Sequence, residues 1–184
     1  MAMGSWLRTH RKQVITHTSI IVGFVLLTIF VVEPLFDRLE QFAGASDLYE
    51  TSLPAATDNI QYSVDHFESA AQILEIYGWA FIEGHDSVNS KIYIVLKSLK
   101  SADRTYVFTT ETVVRENVTE QFKELGLNLD NSGFSALIPT WEIANGEYSV
   151  GIYIKKDDIE ALIYTNRTII KSGDTVKADY HSEP

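Results

Sequence analysis

Few residues in this 184-residue chain have the types and spacing that catalysis or metal binding would need. Glu83-Gly84-His85-Asp86 packs three titratable groups into one turn, and His66 stands close to Asp65 and Glu68. Neither group has the ligand spacing of a zinc site or the nucleophile, base and orienting acid of a hydrolytic triad. Gly and Asp favour turns, so the first group is expected to be a solvated β-turn, with an enzyme centred on His85 as its rival. Asp157-Asp158-Ile159-Glu160 offers carboxylates to a calcium ion but lacks the alternating Asp-x-Asp-x-Asp-Gly order, and a hairpin with solvated acids is the preferred reading. The chain has no cysteine, which removes disulfides, thiolate-bound zinc and thiol nucleophiles. No phosphate loop or Gly-rich nucleotide fingerprint occurs. The expectation is a non-catalytic protein with no cofactor and no metal.

Charge is divided along the chain. There are 15 Lys+Arg against 25 Asp+Glu, a formal charge of −10. Residues 1–13 hold Arg8, Arg11 and Lys12 with no acid, whereas residues 34–184 hold 24 acids and 12 bases. Net acidity of this size argues against a nucleic-acid partner, whose phosphates are bound by clustered Lys and Arg. Between the two parts, Val14 to Val32 contains no Asp, Glu, Lys or Arg. Nineteen residues at 1.5 Å rise make about 28 Å of helix, close to the thickness of a bilayer core. The sequence therefore predicts a basic cytoplasmic segment at 1–13 and a transmembrane helix at 14–36 in the lipid bilayer. By the positive-inside rule the N-terminus is cytoplasmic and the C-terminal domain exterior, making a single-pass protein of the cell membrane. Ala43-Gly44-Ala45 is the kind of site at which a signal peptide is cut. It lies well beyond the apolar run, across Glu33, Pro34, Asp37, Arg38 and Glu40, so the uncleaved anchor is preferred. Ser19 and Gly23 form a small-xxx-small pair that would let a second helix approach.

Residues 37–59 have the composition of a juxtamembrane connector, amphipathic at first and then rich in Ala, Ser, Thr and Asp around Pro54. Over residues 60–172 the pattern has period two. Leu74, Ile76, Gly78, Ala80 and Ile82 share one strand face; Ile92, Ile94 and Leu96 share another; Tyr148, Val150, Ile152 and Ile154 a third. Alternation of this kind marks half-buried strands. Together with runs at 60–64, 105–112, 133–138 and 161–171 it predicts about seven strands, a β-sandwich of immunoglobulin-like size. Val118 to Leu125 is the one helical stretch expected in this body. Asn145-Gly146 suits a type I′ hairpin joining Trp141–Ala144 to Glu147–Lys156. The tail, 173–184, is expected to hold a last short strand and a frayed end.

These residues carry a resemblance. Gly78-Trp79-Ala80-Phe81, Arg115-Glu116-Asn117-Val118 with Phe122, Ser132-Gly133-Phe134 and Asn145-Gly146-Glu147-Tyr148 follow one another as in a recurrent immunoglobulin-like β-sandwich module of bacterial cell-envelope proteins. That module is similar in its Gly-Trp-Ala strand, Arg-x-x-Val corner and Ser-Gly-Phe strand, and it more often has an aspartate where this chain has Asn117. The resemblance covers roughly residues 60–170 and implies an all-β fold, with a role beside surface polysaccharide assembly or attachment.

Physically, Arg115 is expected to hold a corner by capping carbonyls or pairing with a carboxylate, with ligand contact as the alternative. Gly133 is expected to start a strand at a turn or bulge. Tyr77, Trp79 and Phe81 share the strand face opposite Leu74 and Ile76, so both faces are apolar and one needs a cover. The domain itself, a protein partner or a stacked sugar ring could supply it. Trp141 and Tyr153 would extend such an interaction face. The function expected from these features is a membrane-anchored exterior accessory module that tethers or scaffolds an envelope protein partner. The alternative is a carbohydrate-binding module holding surface polysaccharide on an aromatic face. Asn117-Val118-Thr119 and Asn166-Arg167-Thr168 would take glycans in a eukaryotic secretory pathway and are otherwise ordinary residues.

Overall fold

A computed structural model describes residues 15, 17–32, 53–70, 72–101 and 104–180. The chain divides into two units, Met1–Gln41 and Phe42–Pro184.

In the first unit residues 17–27 are α-helical and Thr28–Val32 form a wider π-helical turn. The Thr28 hydroxyl donates to the Phe24 carbonyl at 3.0 Å, the back-bonding by which Thr settles inside a helix. Ile20, Ile21 and Val22 point in directions about 100° apart and are 63, 63 and 51 % exposed. The helix is thus apolar and uncovered all round. Among the described residues no helix is long and apolar enough to cross a membrane. Positions 14, 16 and 33–36 of the expected 14–36 span lie outside the described residues, as do 1–13 and 37–52.

The second unit is all-β, with nine strands among its described residues: β1 (Ile60–Ala70), β2 (Ile73–Ile82), β3 (Lys91–Ser98), β4 (Thr105–Thr109), β5 (Glu111–Val113), β6 (Gly133–Pro139), β7 (Gly146–Lys156), β8 (Ile159–Ser172) and β9 (Thr175–Tyr180). Two antiparallel sheets run β1-β2-β6-β5 and β4-β3-β7-β8-β9. The period-two residues form the core that both sheets share. Leu74, Ile76, Ala80 and Ile82 of β2 meet Ile92, Ile94 and Leu96 of β3 and Tyr148, Val150, Ile152 and Ile154 of β7, all buried. Burying each such side chain contributes about 1.5–3 kcal/mol.

Among the described residues the body has eight strands rather than about seven, and the last short strand expected in the tail makes nine. The run 105–112 is cut at Thr110, whose hydroxyl donates to the Ile92 carbonyl at 2.8 Å, so β4 stays in the larger sheet and β5 crosses to the smaller. The tail supplies β9, which pairs with β8 from Arg167↔Tyr180 to Ser172↔Thr175 and buries Val176. At the other boundary, residues 53–59 belong with the domain rather than the connector. Ala56 bridges Leu162 in parallel and the Thr57 amide donates to the Leu162 carbonyl at 2.7 Å.

Asn145-Gly146 does not form the expected type I′ hairpin. The strands on either side, β6 and β7, lie in different sheets. Gly146 has φ 159°, nearly extended, and already pairs with Lys171, while the Asn145 side chain accepts from the Gly173 amide at 3.0 Å. The pair therefore ties a crossover to the β8–β9 turn. Thr140 starts that crossover, its amide and hydroxyl donating to the Gln72 carbonyl at 2.8 and 2.9 Å.

Between β5 and β6 lie α1 (Glu116–Gln121), followed by the 3₁₀ turns Lys123–Leu125 and Asp130–Ser132, close to the helical stretch expected at 118–125. Gly133 sits where this segment rejoins the sheet. A Cβ there would lie 2.3 Å from the Val113 carbonyl oxygen and 2.5 Å from Cγ of Arg115. The backbone oxygen cannot give way, so Gly133→Ala is expected to destabilise the domain by about 2–3 kcal/mol. Ala at exposed Asn166 should stay within about 0.5 kcal/mol. Urea unfolding of the full chain in detergent micelles measures both, and equal midpoints would refute the close approach.

Candidate functional site

The five aromatics expected to form one face lie in three places. Trp79 and Phe81 are on the outer face of the smaller sheet, stacked with ring centres 5.9 Å apart. Phe122 meets them edge-on at 5.5 and 5.2 Å. Val118 and Leu129 complete the cover with Leu127, leaving Trp79 8 % and Phe81 1 % exposed. Tyr77 lies beyond this flap, stacked on His66 at 5.3 Å, its hydroxyl donating to Glu75 at 3.1 Å. Tyr153 is on the outer face of the other sheet, 2 % exposed and stacked on Tyr93 at 5.3 Å. Trp141, in the turn Thr140–Glu142, is 60 % exposed. The five candidate aromatics therefore do not make one face, and over Trp79 and Phe81 the cover is the domain itself. The domain's own flap occupies the faces of Trp79 and Phe81 on which a sugar would stack.

Arg115 fastens that flap. One guanidinium nitrogen donates to Asp65 at 2.8 Å and Nε donates to Asn117 at 3.2 Å. Asp65 is the extra residue of a bulge in the edge strand β1, between Val64 and His66, so the arginine spans the sheet from the β5–α1 corner to its far edge. Its stem lies over Gly133, whose missing side chain leaves room for it. Asn117 supplies the acceptor that an aspartate would, while Asp65 supplies the charge. Thr119 donates to Asp130 at 2.5 Å and accepts from the Leu129 amide at 3.0 Å, closing the flap on itself. Ser87 ties the far end, its amide donating to the Asn128 carbonyl at 2.8 Å and its hydroxyl accepting from the Asn131 amide at 3.1 Å.

The remaining candidate chemistry is engaged in similar fastening. Asp86, beside His85, accepts from Lys156 at 2.9 Å and from the Val88 amide at 3.0 Å, and Lys156 also donates to the Val88 carbonyl at 2.6 Å. This joins the β2–β3 turn to the end of β7. The Lys156 hydrogen bond holds the Asp86 carboxyl below its ordinary range. Asp157 turns the β7–β8 hairpin with φ 51°, and Glu160 pairs with Lys155 at 3.0 Å, which lowers its carboxyl. Tyr153 is pushed up to about 12 by burial and then by Glu160. His66 lies 3.8 and 3.9 Å from Glu68 and Glu75. Among the described residues no group of three His, Cys, Asp or Glu is placed to hold a metal ion.

Among the described residues two open surfaces stand out. Ser19 and Gly23 lie together on one open helix face with Ile15, Thr18, Val22 and Leu26. On the sandwich, Lys97, Ser98, Leu99, Lys100, Ser149 and Tyr164 line a groove of about 610 Å³. The sequence expectations missed it because its walls come from three strands. Its one linear signal is Lys97-Ser98-Leu99-Lys100, two bases around an apolar residue in an acidic domain.

Asp86 has a folded-state pKa below its unfolded one, so its pairing stabilises the fold above about pH 4 and fades as pH falls through the folded value. Asp86→Asn should cost at most about 1 kcal/mol at pH 7, because the carboxylate is 45 % exposed. The difference from the native chain should shrink as pH falls below about 4. Urea unfolding across that range measures it, and a pH-independent difference would refute the pairing. The chain matches no family model, no curated protein and no solved structure.

Proposed function

We propose that this chain is a membrane-anchored, non-catalytic module in which an exterior immunoglobulin-like sandwich holds a protein partner near the surface of a bacterial cell membrane. The observation that carries the reading is the N-terminal helix, whose large apolar side chains are exposed all round. A helix apolar on every side is stable when lipid or protein surrounds it. The basic residues Arg8, Arg11 and Lys12 precede it, which favours a cytoplasmic N-terminus and an exterior sandwich. The strand order β1-β2-β6-β5 and β4-β3-β7-β8 supports the immunoglobulin-like assignment, because it corresponds to A-B-E-D facing C′-C-F-G, with β9 added. The non-catalytic reading is supported by the internal pairing of Asp65, Asp86 and Glu160.

Tethering is the mechanism. A domain held in a thin layer above the membrane meets a neighbouring membrane protein at high effective concentration, so a weak contact suffices. The face around Ser19 and Gly23 offers a second route to the same partner, helix against helix.

Val22→Lys with Leu26→Lys tests the anchor, since each lysine at the centre of a span costs about 2.5–3.5 kcal/mol of insertion. The native chain should stay with membranes in alkaline carbonate and the double variant should be released. Protease added to right-side-out vesicles should digest the sandwich. Release of both chains by carbonate would end the anchored reading, and protection of the sandwich would reverse its orientation.

A further inference from the structure

The outer face of the larger sheet changes character along its strands. Val95, Val107, Tyr153 and Leu162 are buried there with Leu53 packed against them, and beyond Tyr164 the face turns polar at Lys97 and Ser149. The groove lies at this boundary. Its volume of about 610 Å³ is within the range of ligand sites.

Its walls are held in place. A Cβ on Gly151 would lie 3.1 Å from Cδ1 of Tyr164, so the absence of a side chain there lets the ring lie against the strand. Lys97 extends over that ring, Nζ 5.5 Å from its centre. Burial raises the Tyr164 hydroxyl, which stays protonated as a donor. The Ser98 hydroxyl accepts from the amides of Lys100 and Ser101 at 3.3 and 3.2 Å, and the Leu99 amide donates to the Glu147 carbonyl at 2.9 Å. The turn so fixed leaves Leu99 52 % exposed between two lysines. Among the described residues that line the groove none is a carboxylate, and Glu147 pairs with the Lys100 ammonium at 3.9 Å from beside it.

We propose that this groove binds an extended acidic segment of the protein partner, its carboxylates meeting Lys97 and Lys100 and an adjacent aliphatic side chain lying on Leu99 and Tyr164. The proposal rests on the tethering function above and specifies the chemistry of the partner. Charge complementarity selects the occupant. With 24 acids against 12 bases in residues 34–184, the domain repels an acidic segment over most of its surface and admits it at a cationic groove. An anionic polysaccharide offers carboxylates too, but its hydroxyls would find no partner on Leu99, which is the exposed centre of the groove turn.

The test uses the full chain in detergent micelles and a fluorescein-labelled peptide of alternating Leu and Glu, read by anisotropy. Binding should weaken at least tenfold in K97Q/K100Q, and as salt rises from about 50 to about 500 mM. A Leu/Gln peptide should not bind. Leu99→Glu should abolish binding by repulsion while leaving the circular dichroism spectrum unchanged. Absence of binding by the native chain, equal binding by K97Q/K100Q, or binding of polygalacturonate in place of the peptide would each overturn the proposal. Cross-linking in native membranes separates its failure from that of the tethering function. A partner captured equally by native and K97Q/K100Q chains removes the groove alone, and no partner captured by the native chain removes the tether.

Discussion

A strand that is apolar on both faces must be covered twice, and β2 sets this requirement for the whole domain. Its Leu74, Ile76, Ala80 and Ile82 face the larger sheet, and its Trp79 and Phe81 face outward. The second sheet meets the first need. The second is met by α1 and the turns after it, which bring Phe122, Val118 and Leu129 across the outer face. Each of the two outward aromatics buried in this way contributes about 2–3 kcal/mol, more than any surface ion pair in the domain. The Arg115–Asp65 bridge, the Gly133 close approach and the Ser87 contacts then serve to position the flap.

The charged groups follow from the same arrangement. A domain with twice as many acids as bases needs its bases where loops must be joined, and several are used so: Arg115 on Asp65, Lys156 on Asp86, Lys155 on Glu160. Lys97 differs in resting over an aromatic ring, where its ammonium keeps an open side. The groove of Lys97 and Lys100 is therefore a local exception in an acidic domain.

The inter-sheet core was legible in the sequence because period two is a property of consecutive residues. Leu74 to Ile82, Ile92 to Leu96 and Tyr148 to Ile154 alternate as written and pack as written. Features that depend on which strands become neighbours were not legible. Thr110 looks like any strand threonine until its hydroxyl meets the Ile92 carbonyl and divides the run. The strand β9 is the last short strand expected of the tail, but its pairing with β8 from Arg167 to Ser172 was not readable from its own residues. Asn145-Gly146 has hairpin chemistry but stands between strands of different sheets. Trp79 and Phe81 were placed on the right face, and what covers them depended on Phe122, which is distant in the chain. The groove of Lys97, Ser149 and Tyr164 exists only after β3, β7 and β8 have paired.

The far edge of β8 bears on how copies of this chain meet one another. This strand is 14 residues long, and a bare edge of that length would be a template for strands of other chains. It is shared instead between two short caps, residues 56–57 at Leu162 and β9 from Arg167 to Ser172. Between them the strand bulges, with Thr165 turned to donate to the Val150 carbonyl at 2.9 Å, which interrupts the regular ladder a foreign strand would need. A ladder interrupted in this way disfavours sheet-to-sheet fusion between copies of the chain wherever they meet.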